Sequence, residues 1–252
     1  MTDTAMILSI LVLILSNIVG GIAAFGGALV ALPFLILILT DLQLSVFLVV
    51  CMGLIQSLHI LWYTYKDIHR RELIWILTFG VMGVPLGLLV PTLLPAVLVY
   101  TVLAVLIGVT GVRNIRSSLS SSEIQHPNRP ALWLRIMMLI GTGVVHGAFG
   151  TGGAVLILYS QLVLHTKENF RATLTAVWVC LNLTMFIIFL IQGEHRSAGI
   201  YILLYALPGL LIGNWFAQWI ATRLNQLRFF QFTALLLIIS GIALLIKAWA
   251  FT

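Results

Sequence analysis

Residues 5–40 form an apolar run of 36 residues that carries no charge. A single α-helix of that length would be about 54 Å long, nearly twice the roughly 30 Å of a bilayer's hydrocarbon core. The run therefore has to break, and Phe25-Gly26-Gly27 is the place where it does so. Glycine is about 1 kcal/mol poorer than alanine in a helix interior. A break at membrane depth frees backbone N–H and C=O groups, which must then line a cavity or be buried in protein. The piece after the break, up to residue 40, is short for a full crossing; a re-entrant half-helix and a short tilted crossing both stay open. Residues 132–165 make a second over-long run, broken at Gly150-Thr151-Gly152-Gly153.

Composition supports the membrane reading. The chain is 61% hydrophobic and only 8% charged, and its mean hydropathy is +1.14. Soluble domains carry roughly 25% charged residues. The fold class expected is an all-α polytopic transmembrane bundle with the lipid bilayer as its surroundings. The net charge of +6 is spread over loop positions and marks topology, not nucleic-acid binding. The N-terminus lacks a basic leader and its apolar run is too long for a signal peptide, so it reads as an uncleaved first segment. Cys51 and Cys180 fall mid-helix and read as small packing residues, with no metal or disulfide spacing.

The remaining helices are expected over residues 42–65, 73–91 and 96–112, then 172–192, 198–220 and 228–249. Lys66 to Glu72 reads as a charged loop. The segment from Arg113 to Arg135, rich in serine and proline, reads as the link between two halves. The domains expected are a first repeat over 1–116, a polar linker over 117–131 and a second repeat over 132–252. One constant shift of 126 residues relates the halves: Gly21 meets Gly147, Gly26-Gly27 meets Gly152-Gly153, Gln56 meets Asn182, and Gly83 and Gly87 meet Gly209 and Gly213. A single shift held from Gly21 to Gly87 is the mark of a duplication.

Basic residues decide how the halves are oriented. With an odd number of crossings per half, the halves are inverted and the N-terminus lies outside. Lys66, Arg70, Arg71, Arg113, Arg116, Arg129, Arg135, Lys167, Arg171, Arg223 and Arg228 then face the cytoplasm, with Arg196 and Lys247 opposite. An even number moves Lys167, Arg171, Arg223 and Arg228 out. The positive-inside rule prefers the inverted arrangement.

The chemistry is expected at the two breaks. The first N–H groups of a helix have no partner within it, and the macrodipole places about half a positive charge there. Such an end binds anions, and glycine lets the ligand approach the backbone. Paired broken helices in two halves are a pointer to a transport site. The candidate substrate-binding residues are Gly26, Gly27, Gly152 and Gly153 through their backbone, with Thr151, Gln56, Asn182 and Asn17 adding side chains. Gln56 and Asn182 are read as donors. Gly83, Gly87, Gly209 and Gly213 are read as close-packing positions, and Trp178 as a packing residue. His59 and His146 are the ionisable groups placed inside apolar runs and are candidates for a proton relay.

The acidic residues Asp3, Asp41, Asp67, Glu72, Glu123, Glu168 and Glu194 all map to termini, loops or helix ends. The expectation is that no carboxylate is buried to bind a coupling ion. No phosphate-binding loop, metal cluster or catalytic constellation is present, so no cofactor and no enzymatic activity are expected. An anion leaving a negative cell interior gains about 2.3 kcal/mol per charge per 100 mV, so an anion exporter can run uncoupled.

These residues carry a resemblance. The duplicated break, of the form Gly-x(3–4)-Gly-Gly-Ala/Gly, followed by an apolar helix with Pro33 in the first copy, resembles the sulfite exporter TauE/SafE family of bacterial membrane permeases. The likeness spans nearly the whole chain. It departs from the family pattern at Ala28 and Ala154, where a third glycine is common, and at Tyr159, where the proline often recurs. The resemblance implies export of sulfite or an organosulfonate across the bacterial inner membrane. The alternatives are a proton-coupled importer of another small solute, and a membrane-integral enzyme or assembly subunit acting through His59, His146 and Cys51.

Overall fold

The computed structural model describes residues 3–23, 27–95, 97–98, 101–102, 104–105, 108–109, 111–112, 115, 131–164, 166–193 and 197–250. The described residues are helical throughout, with short turns and no strand. The elements are α1 (Asp3–Ala23), α2 (Gly27–Leu39), α3 (Leu42–Thr64), α4 (Arg70–Leu93), α5 (Leu132–Phe149), α6 (Gly153–Val163), α7 (Lys167–Gln192), α8 (Ser197–Arg223) and α9 (Gln226–Ala250). The described positions between 97 and 115 are helical as well. Six of these helices are long and apolar enough to cross a membrane, and α2 is a shorter apolar helix. Gly26, most of the polar linker, and the basic residues Arg113, Arg116, Arg129 and Arg196 lie outside the described residues.

Two helices begin earlier than their polarity suggests. Helix α4 starts at Arg70 and takes in Arg71 and Glu72, where the sequence reads as loop. His69 caps it, its Nδ1 accepting from the Glu72 N–H at 3.4 Å. Helix α7 starts at Lys167, with Thr166 accepting from the Asn169 N–H at 3.2 Å. A capped first turn tolerates charged residues because its outer face is polar and its N–H groups are satisfied. Asp41 does the same for α3, accepting from the Leu44 N–H at 3.0 Å.

Helices before the linker pack in pairs with helices after it. Helix α1 lies against α8, α4 lies against α5, and α3 lies against α7. The α4–α5 crossing is a glycine contact. A Cβ on Gly83 would overlap the Ile140 carbonyl oxygen, one on Gly87 the Val144 carbonyl oxygen, and one on Gly147 the Val84 carbonyl oxygen. Small residues let two backbones meet in a setting that offers no hydrophobic drive between helices. On the other crossing Gly209 and Gly213 receive Ile14 and Ile18.

Hydrogen bonds gather several helix ends together. The His69 N–H donates to Thr173 Oγ1 at 2.9 Å. Lys167 Nζ donates to the carbonyls of Ala221 and Leu224, each at 2.7 Å. Arg135 at the start of α5 meets Glu72 at the start of α4. The end of α3, the starts of α4, α5 and α7 and the end of α8 therefore share one end of the bundle. Lys66, Arg70, Arg71, Arg135, Lys167, Arg171 and Arg223 belong to it. Trp62, Tyr65, Trp133 and Trp219 lie exposed at the same end, as aromatic residues do at a membrane interface.

Two expectations about charge are overturned there. Glu72 is buried, 1% exposed, although its neighbours are polar. Its Oε2 accepts from Tyr159 Oη at 2.6 Å and pairs with Arg135 Nη2 at 3.3 Å. Arg135 Nη2 also lies 2.9 Å from Tyr159 Oη, and its guanidinium stacks 5.3 Å from the Trp75 ring centroid. Arg171 is buried too, donating from Nη2 to the Gly21 carbonyl at 2.9 Å and to Gln218 Oε1 at 2.5 Å. A charge inside such a bundle persists only when paired. The histidines are thus not the only ionisable groups within the apolar segments.

Candidate functional site

The second interruption fixes a helix start inside the protein. Helix α5 ends at Phe149, and Gly150 follows in the left-handed conformation with φ 64°, its N–H bonded to the His146 carbonyl at 2.7 Å. This is a C-cap that an ordinary L side chain strains to adopt. A Cβ there would also lie 2.8 Å from Val50 Cγ2. Thr151 and Gly152 turn the chain, and α6 begins at Gly153 with no side-chain cap. Its first N–H groups have no acceptor within the helix. Helix α2 begins at Gly27, where the chain passes so close to α1 that a Cβ on Gly20 would lie 2.5 Å from the Gly27 nitrogen.

These two starts border one cavity of about 40 Å³, several times the roughly 10–15 Å³ that a single water needs. Its lining includes Gly27 and Ala28 from α2, Gly53, Gln56 and Ser57 from α3, Gly150, Thr151 and Gly153 from the second break, and Thr175, Trp178 and Asn182 from α7. Five predicted residues, Gly27, Gln56, Thr151, Gly153 and Asn182, are thereby brought to one wall. Gly26 is outside the described residues. Gly152 does not line the cavity; it faces α5, where a Cβ would lie 2.5 Å from the Thr142 carbonyl oxygen. Asn17 stands behind the wall, donating to the Leu210 carbonyl at 3.0 Å and to Asn214 Oδ1 at 2.8 Å.

The two amides differ. Gln56 is 6% exposed, and its Nε2 donates to the backbone carbonyl of Asn17 and to Asn17 Oδ1, the latter at 2.8 Å. Its donors are spent on the protein, which corrects the reading of Gln56 as a donor to the cavity. Asn182 is 4% exposed, lines the cavity and makes no hydrogen bond to another described residue. It reaches the cavity because Gly53 has no side chain: a Cβ there would lie 2.9 Å from Asn182 Nδ2. Thr151 is 3% exposed and holds its hydroxyl at the same wall.

Some of the lining escaped the sequence reading. Trp178 is not a plain packing residue: it borders the cavity, its buried Nε1 has no hydrogen-bond partner among the described residues, and it stacks on His146 at 5.9 Å between ring centroids. Gly53 and Thr175 gave no signal beyond being small residues on helices. His146 is buried behind Trp178, and His59 sits beside Tyr63, 5.4 Å between centroids; neither lines the cavity, and they are not brought together. Chemically, the site offers unpaired helix-start N–H groups, a hydroxyl, an indole N–H and a free amide. That set suits a small oxyanion, and no carboxylate stands in its lining among the described residues.

No curated protein and no solved structure matches the chain. A family model does: Sulfite exporter TauE/SafE matches residues 9–244, nearly the whole length. With its helices long enough to span a bilayer, the chain is a multi-pass membrane protein, and it belongs to the sulfite exporter TauE/SafE family.

Proposed function

We propose that this chain exports a small sulfur-containing anion, sulfite or an organosulfonate, across the bacterial inner membrane, driven by the membrane potential. The anion sits between the starts of α2 and α6, held by the N–H groups at Gly27 and Gly153, by Thr151 and by Asn182. One observation carries this reading: a buried amide, Asn182, stands without a partner among the described residues at a cavity bordered by two helix starts. The reciprocal packing of α1 on α8 and α4 on α5 supports two related halves. Basic residues of both halves share one end of the bundle, which supports an inverted arrangement with that end in the cytoplasm. Alternating access follows from one half rocking against the other.

Proteoliposomes loaded with sulfite, with the potential clamped and no pH gradient, test the reading. Efflux that follows voltage agrees with it. Absence of sulfite movement at every voltage contradicts the substrate.

Proton-coupled import has one observation in its favour, the buried carboxylate of Glu72. That group is tied to Arg135 and Tyr159 and stands outside the cavity lining. Flux that needs a pH gradient and is lost in Glu72→Gln would select this second reading.

A further inference from the structure

Helices α3 and α7 run antiparallel, and their facing residues give the cavity a direction. The rings of Phe47 and Phe189 meet edge to face at 5.9 Å between centroids. Further along, a Cβ on Gly53 would stand 2.9 Å from Asn182 Nδ2. Ile60 and Thr175 come next, and they line the cavity together with Gly53 and Asn182. Ile60 lies two helical turns past Gly53, and Thr175 two turns before Asn182, a rise of about 10 Å. The lining therefore extends toward the basic end of the bundle, where α3 ends and α7 begins. In the other direction it stops, among the described residues of these two helices, at Gly53 and Asn182.

That other side is filled. A Cβ on Gly150, itself in the lining, would meet the side chains of Val50, Val49 and Val46 at 2.8, 3.1 and 3.2 Å. Met185, about a turn past Asn182, is buried, and so are Phe47 and Phe189 beyond it. Gly199 near the start of α8 makes room for the Phe47 ring, which lies 2.9 Å from where its Cβ would stand. The shift of 126 sets Val46, Val49 and Val50 against Ala172, Thr175 and Ala176, and sets Phe47 and Phe189 against Thr173 and Tyr63. Large side chains on one side of the cavity thus answer to smaller ones on the other. The matching pair at the basic end does not close: Tyr63 is 56% exposed and packs on His59, while Thr173 Oγ1 accepts from the His69 N–H.

Resting on the anion-site and two-half readings above, we propose that Phe47 and Phe189 form a gate on the side away from the basic end, shut in this conformation, and that the anion reaches its site from the basic end along Ile60 and Thr175. An apolar ring pair holds back a hydrated anion because it offers no donor to replace the water the anion must shed. Release needs the rings to part, and packed elements switch between two such arrangements rather than deform smoothly. The converse arrangement brings Tyr63 toward Thr173.

Sided labelling tests this without any anion. Cys51 and Cys180 are first replaced by alanine, since both are free thiols. In that background Thr40→Cys and Asp67→Cys, exposed at opposite ends of α3, mark the two sides of the proteoliposome membrane. Thr175→Cys should react with an impermeant methanethiosulfonate about tenfold faster, or more, from the Asp67 side than from the Thr40 side. Adding Phe47→Ala and Phe189→Ala should raise the rate from the Thr40 side by about tenfold. Ile60→Cys, on the facing helix, takes the place of Thr175→Cys if that variant does not fold. Equal rates from the two sides, a faster rate from the Thr40 side, no reaction from either, or a Thr40-side rate untouched by loss of the rings overturns the gate. Voltage-clamped sulfite flux in the wild type judges the anion reading separately: sidedness as expected with no flux overturns the substrate and leaves the gate standing.

Discussion

Asn182 offers a perturbation whose effects on stability and on function point in opposite directions. The side chain is 4% exposed and makes no hydrogen bond to another described residue. A buried amide without a partner is destabilising by about 1–3 kcal/mol, less where water reaches it. Leucine has the same branched shape, is somewhat larger, and has no polar group to satisfy. Asn182→Leu should therefore leave the stability of the empty protein unchanged or raise it by up to about 2 kcal/mol. Binding should suffer, because a hydrogen bond to a charged group contributes about 1.5–3 kcal/mol, which is a loss of roughly 10- to 150-fold in affinity. Unfolding in mixed detergent micelles gives the first quantity and sulfite titration of the purified protein gives the second. A variant destabilised by more than about 1 kcal/mol would show that the amide holds helices together, and the reasoning would fail. Such a gain in stability at the expense of function is the usual signature of a binding residue.

Three further outcomes are expected. Arg135→Met should destabilise by about 3–5 kcal/mol because it strands Glu72, 1% exposed, as an unpaired buried charge. Adding Glu72→Gln should recover most of that loss, and simple additivity in the unfolding cycle would count against the pairing. Gly87→Val should prevent recovery of monodisperse protein on gel filtration, since its Cβ enters the Val144 carbonyl, whereas Gly108→Ala, with open space around its Cβ, should be silent; a well-behaved Gly87→Val would contradict the close crossing. Removal of the Arg171 bonds to Gly21 and Gln218 in Arg171→Met should cost about 1.5–3 kcal/mol of unfolding stability, and a variant as stable as wild type would show that these bonds add nothing.

The sequence makes the fold class and much of the cavity legible because both rest on local signals. A 36-residue apolar run has too much length for one span, and glycine pairs mark where helices can stop. Gln56 and Asn182 stand out as amides in apolar surroundings, and the structure sets both at one cavity. What the sequence hides is pairing across distance. Glu72, Arg135 and Tyr159 lie far apart in the chain, and each taken alone reads as a loop charge, a topology signal or a departure from a family pattern. Arg171 likewise reads as a cytoplasmic charge until α1 is seen to end against it. The role of Gln56 is the subtlest case. Its presence is visible, but whether it gives or takes a hydrogen bond depends on Asn17 and on the Leu210 carbonyl, which only the folded chain brings together.

The central claim is that one anion sits between the starts of α2 and α6. Gly153→Leu places a side chain in that space, where a Cβ meets Leu29 at 3.0 Å and Trp178 at 3.9 Å. Calorimetric titration of sulfite into wild-type protein and into this variant, both checked for intact folding, addresses the claim most directly. The account predicts saturable binding of one anion per chain in the wild type and none in Gly153→Leu. Equal binding by the two proteins would place the anion elsewhere.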